Sequence, residues 1–285
     1  MAASYTGQTV LVTGASRGIG LATARRFADL GASVGLVATS RQGVDRVAAE
    51  LAAREISGRT HAVGADLTDP DECRRAVDEI EAALGPIDVL VSCAGMLRRD
   101  FVEDVRVEDF ERTYRLHVGA GLWLSQRVLP GMRQRGRGRI VLVASEFGLI
   151  GGPTYASYCT SKWAMVGLAE VMYHELAGSG VHVCAVCPGD VRTDQLTEEH
   201  EWGPTGGETP EKAMKPEYVA GAIVRAAGGS SPVVVVDKPH LRFAFNFMGG
   251  PRRLRLAVVH PAFRKLLRER KARALEPEAQ PPATS

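Results

Sequence analysis

Tyr158 and Lys162 are four residues apart in the run Tyr158-Cys159-Thr160-Ser161-Lys162. On a helix, side chains at i and i+4 share one face. A tyrosine phenol titrates near pH ~10 and exchanges protons poorly at neutral pH. A lysine cation one turn away favours the phenolate and lowers that value. The pair therefore has the makings of a general acid/base. Tyr-x-x-x-Lys is common by chance, and Ser145 gives it weight. Ser145 lies thirteen residues before Tyr158, at the end of an apolar run, 140–144, that reads as a strand. A hydroxyl there stands at the carboxyl edge of a sheet, where open α/β sheets bind ligands.

A second constellation opens the chain. The run 10–20 includes Thr13, Gly14, Ser16, Arg17, Gly18, Ile19 and Gly20, an apolar strand passing into a glycine turn and then a helix. The first glycine permits the tight turn. The later ones let a pyrophosphate approach the backbone and let the helix pack on the sheet. The helix start adds unpaired N–H groups and a positive dipole end. A dinucleotide is the ligand that fits this context. Which dinucleotide follows from charge. NAD sites usually carry a carboxylate at the end of the second strand for the ribose hydroxyls. Here that end reads Val37-Ala38-Thr39-Ser40-Arg41, with no carboxylate. A 2′-phosphate meets no repulsion, and Arg17 and Arg41 offer it positive charge, so NADP(H) is expected over NAD(H). The other reading of either arginine is a solvated surface charge.

These residues need a scaffold that sets strand ends side by side. Apolar runs at 9–12, 34–37, 61–63, 89–92, 140–144, 182–186 and 233–236 alternate with helical stretches at 18–30, 42–56, 70–84, 108–134, 157–178 and 215–227. Most runs are continuous rather than alternating, as in parallel strands covered on both faces. This order predicts an α/β fold. The expected architecture is a Rossmann-type, doubly wound, parallel seven-stranded sheet with helices on both faces, in a single domain. That domain is expected over 1–238. Within it, the polar segment 190–214, containing His200, Glu201, Trp202 and Gly203-Pro204, is expected to form a substrate loop or lid. A basic amphipathic extension, 239–274, and a Pro/Ala-rich disordered tail, 275–285, are expected to follow.

Composition narrows the function classes. The 285 residues carry a formal charge of only +2, so a nucleic-acid partner is not implied. No apolar run approaches the ~20 residues that span a bilayer. Residues 1–9 lack a secretory pattern, and the cytoplasm is the expected location. Five cysteines in a chain of this length do not suggest a disulfide scaffold. Cys184 and Cys187 form a CxxC inside a strand-like run, and residues i and i+3 of a strand point to opposite faces. Packing is their expected role, and no metal site is expected.

The pattern Thr-Gly-x-x-x-Gly-x-Gly at 13–20, followed in order by Ser145, Tyr158 and Lys162, resembles the short-chain dehydrogenase/reductase family over about 7–236. The resemblance implies that Ser145 hydrogen-bonds the substrate oxygen and that Tyr158 gives it a proton during reduction. It implies that Lys162 tunes Tyr158 and holds the nicotinamide ribose. By the same resemblance, Asp66 and Leu67 contact the adenine, and Ala94 and Gly95 give close backbone approach. Pro188, Gly189, Val191 and Thr193 would lie beside the nicotinamide. Asp66 alone also reads as a turn aspartate, and Pro-Gly as a strand-ending turn.

Within the family, Ala38-Thr39-Ser40 with Ser16-Arg17 is similar to the bacterial 3-oxoacyl-carrier-protein reductases. Cys93-Ala94-Gly95-Met96, Lys215-Pro216-Glu217 and the basic tail are similar to 3-ketosphinganine reductases. The implied activity is NADPH-dependent interconversion of a ketone and a secondary alcohol, by reduction of a hydrophobic carbonyl. Oxidation of the alcohol and a non-catalytic nucleotide sensor are the alternatives. The family also implies a homodimer or homotetramer.

Two departures stand out. Ser92-Cys93 replaces the family's Asn-Asn, which implies an altered local network. His117 falls where many members have an asparagine on a proton path. Either it replaces that asparagine and makes the rate pH-sensitive, or it is a satisfied packing histidine. The apolar and basic stretch 241–270 would suit a subunit contact, a pocket cover or an anionic membrane surface.

Overall fold

The strands are β1 (Thr9–Thr13), β2 (Ser33–Ala38), β3 (Thr60–Gly64), β4 (Ile87–Ser92), β5 (Gly138–Val143), β6 (Val181–Pro188) and β7 (Val233–Val236). All pair in parallel, in the order β3-β2-β1-β4-β5-β6-β7. This computed structural model describes residues 4–54, 57–202, 209 and 211–237. The helices over those residues are α1 (Gly18–Asp29), α2 (Arg41–Ala52), α3 (Pro70–Leu84), α4 (Val107–Tyr114), α5 (Ala120–Arg135), α6 (Ala156–Glu175), α7 (Asp194–Trp202) and α8 (Pro216–Ala227). The predicted doubly wound sheet is the observed one. The expectations for 239–274 and 275–285 lie outside the described residues, as do the side chains of His200, Glu201 and Trp202.

Successive strand residues feed two cores. Val10, Val12 and Leu36 pack with Phe27 of α1, Val44 of α2 and Ile223 of α8 on one face. Leu11, Leu90 and Ile140 pack with Ile80 of α3, Leu124 of α5 and Met165 of α6 on the other. Burying each such side chain contributes about 1.5–3 kcal/mol, so both faces hold the sheet rigid beneath the site. Cys184 lies in the first core and Cys187 in the second, as strand parity requires. Caps fix the helix starts: Asp69 accepts from the Asp71 N–H at 2.7 Å, ahead of Pro70 at the first turn of α3. No helix among the described residues is long and apolar enough to cross a membrane.

The strand order reverses between β1 and β4. Connections leave this point in opposite directions and open a crevice at the strands' carboxyl ends.

Two elements differ from expectation. The helix expected over 108–134 is α4 and α5 joined by a π-helical turn, Arg115–Gly119. Such a turn inserts one residue and re-aims the side chains around it. The segment expected to be a polar loop contains α7. Thr193 starts that helix by accepting from the Leu196 N–H at 3.4 Å, and Leu196 supplies one buried apolar anchor.

Candidate active site

A cleft of about 430 Å³ runs along the carboxyl ends of β1, β2, β4, β5 and β6. Its floor is the glycine loop. Gly14 has φ +66°, and a Cβ there would lie 2.9 Å from the Ala94 Cα. A Cβ on Gly20 would collide with the Gly14 carbonyl. Thr13 Oγ1 accepts the N–H groups of both Cys93 and Ala94 at 2.9 Å, tying the tips of β1 and β4 together. This tie runs from a side-chain hydroxyl to two backbone N–H groups, and no side-chain amide takes part in it. Burial pushes the Cys93 thiol up to about 12, so it stays a thiol. No side chain caps the first turn of α1. Its N–H groups therefore remain available to an anion, and the cradle fits a dinucleotide pyrophosphate.

Most predicted cofactor residues line this cleft: Gly14, Ser16, Arg17, Gly18, Ile19 and Gly20, then Thr39, Leu67, Ala94 and Gly95, and finally Pro188, Gly189, Val191 and Thr193. Arg41 and Asp66 do not. Arg41 opens α2, and its guanidinium pairs with Asp45 one turn on, at 2.9 Å, rather than pointing into the cleft. Asp66 accepts from the Thr68 N–H at 3.0 Å and the Thr68 hydroxyl at 2.9 Å, which makes it a turn aspartate. Those hydrogen bonds, with the Thr68 N–H foremost, lower its pKa. Arg17 does face the cleft, with its Nη1 3.3 Å from Asp194 and 3.8 Å from Glu198 of α7.

Ser145, Tyr158 and Lys162, the residues expected to transfer the proton, converge at the other end. Ser145 stands two residues past the end of β5 and caps a 3₁₀ turn, its hydroxyl accepting from the Phe147 N–H at 3.2 Å. Tyr158 and Lys162 share one face of α6, at 9% and 4% exposure, and both line the cleft. Lys162 Nζ stands 5.5 Å from the Tyr158 ring centre and donates to the Val143 carbonyl at 3.0 Å. Burial lowers the ammonium's pKa to about 8.

His117, in the π-helical turn, is fully buried. Its Nε2 accepts the Met96 N–H at 3.1 Å, and its Nδ1 lies 2.8 Å from the Ser161 hydroxyl. Ser161 in turn donates to the Tyr158 carbonyl at 2.8 Å. The Met96 contact requires an unprotonated Nε2, so Nδ1 carries the proton. Burial, then the nearby Lys162 charge, hold His117 well below its ordinary pKa. Of the two readings of His117, the satisfied packing histidine is the one this neutral, fully engaged imidazole fits, and a pH-sensitive ring is not.

Sequence reasoning did not single out Glu146, Leu97, Leu116 or Leu196, all of which line the cleft. Glu146 carried a signal, since it directly follows Ser145 at a strand end. Burial, then the hydrogen bond that its protonated form donates to Asp237, push its carboxyl up to about 10.

A family description for short chain dehydrogenases matches residues 8–203. The chain is 32% identical over 241 residues to the 3-oxoacyl-[acyl-carrier-protein] reductase of Thermotoga maritima, covering 80% of this chain and 93% of that one. It is 32% identical over 228 residues to the 3-ketodihydrosphingosine reductase of Bos taurus, covering 78% and 68%. A solved structure from Beutenbergia cavernae, assigned as an NAD(P)-dependent gluconate 5-dehydrogenase with NADP bound at low occupancy, superposes with a TM-score of 0.73. It shares 33% identity over 82% of this chain and 96% of that one.

Proposed function

This chain belongs to the short-chain dehydrogenase family, and we propose that it uses NADPH to reduce a hydrophobic ketone to a secondary alcohol. It is an NAD(P)-dependent oxidoreductase acting on CH–OH groups. The observation that carries the proposal is the meeting of Ser145, Tyr158 and Lys162 in the same cleft as the glycine cradle.

The cofactor, when bound, supplies hydride to the carbonyl carbon. The chain's own residues do the rest. The cradle of Gly14, Gly18 and Gly20 with the open start of α1 holds the phosphates. The Ser145 hydroxyl orients the substrate oxygen by hydrogen bonding. Tyr158 gives that oxygen its proton. The Lys162 ammonium stabilises the negative charge Tyr158 then carries. Preference for NADPH is supported by Arg17 at the cleft and by the lack of a carboxylate at Thr39-Ser40. An apolar substrate is supported by Leu97, Phe147 and Leu196 in the lining. Exposed Phe110, Leu122, Trp163 and Val171 on α4, α5 and α6 support a homo-oligomer through these helices.

The experiment is fluorescence titration with NADPH and NADH, followed by NADPH oxidation against ketones from small cyclic to long-chain. Tyr158→Phe keeps NADPH binding and abolishes turnover. Unchanged turnover in that variant defeats the assignment.

A further inference from the structure

Glu146 follows Ser145 and lines the cleft. Its carboxyl is hydrogen-bonded to Asp237, which stands just past the end of β7 at 6% exposure. Gly189 closes over the two. A Cβ on it would lie 2.7 Å from Asp237 Oδ2 and 3.1 Å from Glu146 Cδ. The two carboxyls are thus packed directly against the Pro188-Gly189 backbone that lines the cleft beside Ser145. Glu146 Oε1 is buried without a hydrogen-bond partner.

Two touching carboxyls share a proton, because both cannot ionise at once. With Glu146 pushed up to about 10, the pair keeps one proton and one negative charge at neutral pH. Asp190 adds a further carboxyl close enough to act on Glu146. Buried charge is poorly screened. Among the described residues that line the cleft, the cations are Arg17 and Lys162. Arg17 is paired with Asp194 at the glycine loop. Lys162 is bound to the Val143 carbonyl, and the groups that act on it are the neutral thiols Cys93 and Cys187 rather than the carboxyl pair. A substrate carboxylate entering here meets the pair's negative charge, while the two lining cations stand elsewhere, Lys162 beside Tyr158 and Arg17 at the glycine loop.

We propose that the Glu146–Asp237 pair makes this site select carbonyl substrates that are uncharged beside the reacting carbon and reject keto acids. The inference rests on the carbonyl-reduction reading. It makes Asp237 and Glu146 specificity-determining residues and names neutral ketones or esters of keto acids as the substrate class.

The test compares matched pairs on the full chain with NADPH: ethyl pyruvate against pyruvate, and methyl acetoacetate against acetoacetate. Binding is read from the fluorescence of bound NADPH, and turnover from NADPH consumption. The esters should bind and react at least tenfold better than the acids. Glu146→Gln keeps the hydrogen bond and the charge on Asp237, so the ester-to-acid ratio stays. Glu146→Gln with Asp237→Asn removes the charge and should bring the ratio towards one, by improving the acids. NADPH titration checks that each variant is folded. Acids that bind as well as their esters overturn the proposal, as does a double variant that weakens both members of a pair equally. Bound NADPH with no consumption for any carbonyl defeats the reduction reading instead, and the binding comparison still decides the charge selection.

Discussion

His117 Nδ1 lies 2.8 Å from the Ser161 hydroxyl, and Ser161 donates onward to the Tyr158 carbonyl. The contact fastens the π-helical turn to α6, the helix that carries Tyr158 and Lys162. With Nε2 engaged by the Met96 N–H, the same ring also fixes the segment after Gly95.

His117 therefore acts by position. Its pKa is held well below the ordinary value, so it gains no proton as pH falls through neutrality. The rate of ketone reduction should not change between about pH 7.5 and 6, the range that an ordinary histidine titrates. A step in the pH–rate profile near 6.5 that vanishes in His117→Gln would refute this. His117→Ala leaves the Met96 N–H and the Ser161 hydroxyl without their partner. It should cost about 1–3 kcal/mol in urea unfolding and lower kcat more than it weakens NADPH binding.

Lys162 predicts an alkaline limb. Burial lowers its pKa to about 8, so raising the pH through that value removes the proton and the positive charge with it. The reduction rate should fall over that interval, because nothing then offsets the negative charge left on Tyr158. Steady-state kcat measured from pH 6 to 10 checks this. A reduction rate that stays flat to pH 10 contradicts it. Lys162→Met should lose turnover at every pH.

Arg17 predicts cofactor choice. Replacing it with Ala should weaken NADPH about tenfold, the loss expected from one charge-assisted contact of about 1.5 kcal/mol, and leave NADH nearly unchanged. Equal weakening of both would place Arg17 on the pyrophosphate or on α7 instead. Arg41→Ala should change neither, because its guanidinium is held by Asp45.

Local signals made much of this fold legible. The glycine loop between β1 and α1, the Asp69-Pro70 start of α3 and the opposed faces of Cys184 and Cys187 depend on neighbours within a turn or a strand. Arg41 misled because charge at a strand end says nothing about direction. The i, i+4 spacing to Asp45 was the overlooked sign that a closer partner would take it. The π-helical turn is not legible in the sequence: one inserted residue rotates the helix face by roughly 100°, but the short α4 before it buries only Thr113 and so defines no apolar face from which to read the change. Helix α7 was hidden by a polar sequence that keeps one described apolar anchor, Leu196. The Glu146–Asp237 pair joins the end of β5 to the end of β7. Only the parallel order of the sheet brings those two residues together.

Because β1 lies in the middle of the sheet and pairs with both β2 and β4, the stretch from Thr9 to Gly95 is a contiguous half-sheet that already contains the whole phosphate cradle. During synthesis this half emerges before Ser145 or Tyr158 exists, and domains commonly fold from the amino end first. The tie from Thr13 to Cys93 and Ala94 closes it. On the ribosome, the pairings of β3, β2, β1 and β4 with one another can thus form while β5 and the half that carries Ser145, Tyr158 and Lys162 are still being made. A nascent chain with Gly95 just clear of the ribosome holds the glycine turn of Gly14, Gly18 and Gly20 and lacks Ser145, Tyr158 and Lys162.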